Sequence, residues 1–180
     1  MTAADRRGRG AEVAPEPVHP PPRRVVVLAM GNEYRRDDGA GVAVTDLVAE
    51  RLADGEGAGG DATVSGPFGD PLDLLGEWDG ATLAVVVDAV RTGAAPGTVT
   101  VVELGDHTSE RPTGSTHTVG VAAALRLARA VDRAPRRVVA VGIEGEDFGD
   151  GIGLSDAVAS SVEEAASRVL DVVAGSAPCA

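Results

Sequence analysis

Val25-Val26-Val27-Leu28-Ala29 is an unbroken apolar run, and Ala81–Val87 holds a second one, Leu83-Ala84-Val85-Val86-Val87. Neither alternates with polar residues. A β-branched strand without a polar face must be covered on both sides, as in parallel sheets flanked by helices. The layers have to come from one domain, since 180 residues supply one sizeable core. Aromatics make up only 2% against 43% hydrophobic residues, so Val, Leu and Ala must build that core.

The remaining pattern alternates strand and helix. Val44, Leu47, Val48 and Leu52 recur at helical spacing, with Gly55 as a stop. Ala62–Ser65 is a weak strand, and Pro71 opens a helix through Leu72, Leu74 and Leu75. Only 89–96 separates Ala81–Val87 from the strand Gly97–Glu103, too short for a crossover helix, so these two are expected as antiparallel neighbours. Val121, Leu125, Ala128 and Val131 mark a further helix, and Arg137–Ile143 a last strand. A Gly/Asp-rich loop over 145–153 follows, with Ser155 as N-cap of a final helix through Val158, Val162, Ala166, Val169 and Val173. The expected fold is α/β: a three-layer sandwich with a mostly parallel, twisted five-stranded sheet, one antiparallel strand, and helices on both faces. Residues 1–23, with Pro20-Pro21-Pro22, read as a disordered Pro/Arg-rich arm. Residues 24–175 read as the single α/β domain and 176–180 as a frayed tail.

Charge narrows the partners. All 16 basic residues are arginine, and the formal net charge is −12. Residues 1–24 carry +2, leaving −14 on the rest, which repels phosphate backbones and argues against nucleic acid. The one cysteine, Cys179, sits at the C-terminus, so no intrachain disulfide forms. No apolar run approaches the roughly 18 residues of a membrane span, and Arg6-Arg7 lacks a following apolar region. The expected location is cytoplasmic.

Three segments carry candidate chemistry. Gly31-Asn32-(x)4-Asp37-Asp38-Gly39-x-Gly41 follows the first strand, Asp88 ends the strongest one, and His117 opens a helix. Each lies where α/β proteins gather functional groups, at carboxyl ends of strands. Two carboxylates and an imidazole suit a divalent ion with positions left open. A helix dipole disfavours protonated His117 and so favours its ligating form. Singly, Asp37 and Asp38 are explained as helix-start acids and Asp88 as a turn former. A dinucleotide loop fails on spacing: Gly39 and Gly41 fit, but the third glycine position is Val44, and two acids occupy the phosphate end. There is no G-x-S-x-G or H-E-x-x-H.

In order and spacing, these pieces, with Val87-Asp88-Ala89, His117 followed by Gly120, Val141-Gly142-Ile143 and Gly153-Leu154-Ser155, resemble the hydrogenase maturation endopeptidases over about 25–174. The resemblance implies an endopeptidase that removes the C-terminal extension of a nickel–iron hydrogenase large-subunit precursor after nickel insertion. It also implies that Asp38, Asp88 and His117 are the catalytic and metal-binding set, with Asp37 less favoured. The nickel would be carried by the substrate rather than held as a resident cofactor. The expected enzyme acts as a monomer. Gly66-Pro67-Phe68-Gly69 departs from the Gly-Thr-x-Gly common in that family. Pro67 lacks a hydroxyl and an amide N–H. Phe68 is expected either to touch the partner or to fill a core gap. The departure motivates an alternative, a non-catalytic adaptor or chaperone binding a metalloprotein through the same site. The acidic stretch Glu144–Asp150 suits a basic substrate tail or a solvated loop.

Overall fold

The computed structural model describes residues 23–56, 62–105 and 116–175, and the side chains of 116–119 lie outside that description. Residues 1–22 of the arm, the tail with Cys179, and His107 also fall outside it. Five strands form one sheet: β1 (Val25–Met30), β2 (Ala62–Phe68), β3 (Leu83–Val90), β4 (Val99–Glu103) and β5 (Arg137–Glu144), in the order β2-β1-β3-β5-β4. β1 is parallel to β2 and β3, β3 is parallel to β5, and β4 runs antiparallel to β5. The helices are α1 (Ala40–Ala53), the single turn α2 (Leu74–Glu77), α3 (Thr116–Ala130) and α4 (Asp156–Ala174).

β1 and β3 are buried along their entire lengths, as two unbroken apolar runs require. Side-chain alternation divides their residues between two cores. Val25 and Val27 join Leu83, Val85 and Val87 against α1 and α4, whereas Val26, Leu28, Met30, Ala84 and Val86 pack under α2 and α3. The three layers follow directly. Phe68 is partly buried against the second core, so it fills a gap there.

The expected adjacency of β3 and β4 is not observed, because β5 lies between them. The connection over 91–98 passes across the carboxyl end of β5 and is fixed there. Gly97 N–H donates to Glu144 O (2.8 Å), and Glu144 N–H to Thr98 O (2.9 Å). Skipping one strand spans about 10 Å, within reach of eight residues. Val131 falls outside the expected stripe as well. It lies just past the end of α3 and is 52% exposed.

α1 approaches the sheet unusually closely at its N-terminus. A Cβ on Gly41 would lie 2.4 Å from Met30 O and 2.7 Å from Val87 O. Both contacts are rigid backbone, so only glycine lets α1 start directly over the end of β1 and over Val87 of β3. Gly41→Ala should lower unfolding free energy by about 2 kcal/mol. Gly76→Ala, in α2 with no atom near the added methyl, should be neutral or stabilising by about 0.5 kcal/mol. Urea denaturation of the two variants measures the contrast.

Candidate functional site

The site is built where the chain leaves β1. Gly31 turns with φ +109°, and a Cβ there would lie 2.0 Å from Asp38 O. The main chain of Asp38 therefore folds back onto the end of β1, where Asn32 N–H donates to Asp38 O (3.3 Å). A 3-10 turn, Arg36–Gly39, then leads into α1 and packs against β3.

The adjacent acids on this turn have opposite surroundings. Asp37 is fully buried (0% exposed), and its carboxylate accepts four hydrogen bonds from the segment between β5 and α4. Glu146 N–H and Asp147 N–H donate to Oδ2 at 2.8 Å each. Ser155 N–H donates to Oδ1 at 2.6 Å and its hydroxyl to Oδ2 at 3.0 Å. Burial opposes ionisation of Asp37, but these donors outweigh it and hold the carboxyl below its ordinary range. Asp38 is 5% exposed, and no hydrogen bond from the described residues reaches its carboxylate.

Ser155 occupies the N-cap position of α4, but its side chain makes no capping bond. The hydroxyl turns to Asp37 instead.

Asp88 does not end its strand. β3 continues to Val90, with Asp88 opposite Gly142 of β5, while the last pairing with β1 is Ala29↔Val87. Asp88 is thus the first residue beyond the β1 ladder, still held on its β5 side. It is 5% exposed and follows Ala84 and Val86 on the face covered by α2 and α3. Gly41 of α1 sits against the carbonyl of Val87, so the start of α1 meets β3 one residue before Asp88. α3 starts at Thr116, which makes His117 its second residue, and α3 packs on β3. The His117 side chain lies outside the described residues. Among the described residues no three His, Cys, Asp or Glu side chains are grouped as a metal site.

Sequence reasoning missed one buried carboxylate. Glu144, at the end of β5, is buried and accepts from Thr92 N–H (2.8 Å), Thr92 Oγ1 (2.7 Å) and Gly93 N–H (2.8 Å). Burial again opposes ionisation and the donors prevail, lowering its pKa. The Arg91 guanidinium lies 4.5 Å from the centre of the Phe148 ring, further joining the β3–β4 connection to the loop after β5. Its only sequence signal was an acid directly after an apolar strand.

A family model, "Hydrogenase maturation protease", matches residues 69–172. The chain belongs to the hydrogenase maturation protease family. The matched span includes Asp88 and His117 and begins after Asp38. The fold is that of the hydrogenase maturating endopeptidase HybD from E. coli (TM-score 0.70, 24% identity, 85% of this chain and 93% of that one). Similar too are the [NiFe] hydrogenase maturation proteases HybD (0.65, 27%, 83% and 99%) and HycI (0.63, 20%, 83% and 92%) from Thermococcus kodakarensis. No curated protein sequence matches the chain.

Both lowered carboxyl groups, Asp37 and Glu144, add stability that is complete above the unfolded value near pH 4. It is lost as pH falls through that value towards the folded one. Asp37→Asn, which turns an amide N–H₂ towards donors, should cost about 2–3 kcal/mol at neutral pH. It should also flatten the acid limb of stability measured by urea unfolding from pH 7 to pH 3.

Proposed function

We propose that the protein is an endopeptidase that removes the C-terminal extension of a nickel–iron hydrogenase large-subunit precursor once nickel has been inserted. Asp38, Asp88 and His117 recognise that nickel while the precursor still holds it. The ion belongs to the substrate.

The observation that supports this most directly is the contrast between Asp37 and Asp38. A buried carboxylate with four donors is already satisfied. Asp38, buried beside it, receives no hydrogen bond from the described residues, which suits a carboxylate that meets a cation brought to the strand ends. Asp88 lies where β3 leaves the β1 ladder, on the face that α3 covers. Two hard oxygens and one imidazole nitrogen form a modest site for a soft metal. Such a set binds well only when the partner's own ligands complete the coordination. The enzyme would then distinguish a loaded precursor from an empty one before cutting.

Co-expression with a hydrogenase large-subunit precursor, followed by mass spectrometry of the precursor, tests this reading. Loss of a C-terminal peptide is expected only when both this protein and nickel are supplied. Asp38→Ala, Asp88→Ala and His117→Ala should each leave the precursor intact. Cleavage at the wild-type rate by Asp38→Ala would remove the assignment. Stable co-purification with an untrimmed, nickel-loaded precursor would identify the adaptor instead.

A further inference from the structure

Two large apolar side chains stand out at the rim of the site. Tyr34 is 62% exposed and Ile152 is 75% exposed. They belong to segments more than a hundred residues apart that are joined by main-chain pairing. Gly151 N–H donates to Tyr34 O and Arg36 N–H to Gly151 O, both at 2.9 Å. The same two segments are clamped by Asp37, three residues from Tyr34 and next to Asp38. An isoleucine three-quarters exposed, next in sequence to the glycine that pairs with Tyr34, on a rim fixed by buried bonds, is an apolar surface held in place rather than one left by a loose loop.

The charges around it select the occupant. Glu33, Glu146 and Asp150 are exposed there. Two exposed arginines of the first loop reach across to the second. Arg35 Nη2 donates to Phe148 O (3.3 Å), and Arg36 lies over Gly151, its Nε 2.7 Å from where a Cβ would be. With Asp147 also exposed, four acids on these two loops outnumber Arg35 and Arg36, on a body already strongly negative.

We propose that Tyr34 and Ile152 form the docking surface for an apolar, basic segment of the precursor beside its nickel centre. This rests on the processing function above and names the part of the substrate that the rim holds. Docking there places the precursor's nickel against Asp38 and uses the Asp37 clamp as its rigid base.

The test is steady-state cleavage of purified nickel-loaded precursor by the full chain. Tyr34→Ser/Ile152→Ser should raise KM about tenfold and leave kcat within about twofold. A second variant, Glu146→Arg/Asp150→Arg, should raise KM at low salt and remove the wild-type increase of KM with ionic strength. An unchanged KM in both variants overturns the proposal. So does sedimentation showing a wild-type dimer that the serine variant splits with KM unaltered. Calorimetric binding of the same precursor to Asp38→Ala protein, with and without the serine substitutions, separates the two readings. Patch-dependent binding without cleavage by wild type would leave the docking surface standing and remove the protease. Cleavage with no dependence on the patch would do the reverse, and loss of both binding and cleavage would overturn both.

Discussion

The carboxyl edge of the sheet depends on a buried negative charge that water does not reach. Taking the Asp37 carboxylate out of solvent is costly unless fixed donors replace its hydration. Here three main-chain N–H groups and a hydroxyl do so, all from the segment that leads from β5 to α4. The bond runs both ways, because Asp37 N–H also donates to Asp147 O (2.9 Å). Glu144 repeats the device on the other side of β5, gathering the β3–β4 connection with N–H groups of Thr92 and Gly93. Two carboxylates thus hold the exits of β1 and β3 against the exit of β5. Each charge replaces contacts that an aromatic-poor loop set could not supply from apolar area.

What the sequence revealed of the fold came from periodicity, and its failures came from contacts at long range. Val25–Ala29 and Leu83–Val87 announce their burial locally, so the three layers were legible. The place of β4 was not. A connection of eight residues says how far a strand can go but not which neighbour it meets, and here it lies over β5, bonded to Glu144. Asp88 looked like a strand end because polarity changes there, yet the ladder with β5 continues through Val90. Polarity marks where one neighbour stops, here β1, rather than where the backbone leaves the sheet. Ser155 had the right residue type and position for a cap. Its hydroxyl was claimed by Asp37, 118 residues away, which no local rule detects.

The placement of the candidate residues on the fold was legible in outline for a similar reason. Acids after β1 and in β3, and a histidine at the start of α3, lie where parallel sheets collect polar groups. Sequence could not divide the roles of Asp37 and Asp38, because identical neighbours differ only in what faces them. Successive residues of a 3-10 turn point about 120° apart. One of the pair is therefore turned to the β5–α4 segment while the other is left at the strand ends. The glycines enforce this choice. Gly31 admits the Asp38 carbonyl, and Gly41 lets α1 begin against Met30 and Val87.

This division also bears on how a weak metal site can be selective. A strong resident site needs many donors held at fixed distances, and would bind free ions as readily as a loaded partner. On the proposed reading the protein supplies only Asp38, Asp88 and His117, from three elements whose positions are set elsewhere. The exits of β1 and β3 are fixed by Asp37 and Glu144, both of which are saturated with donors from this chain and offer little to a metal. The orienting charges and the recognising charges are then different residues. Rigidity at the rim lowers the ordering cost of engaging a partner, and the small number of open donors leaves the decisive share of affinity to the ligands that arrive with the nickel.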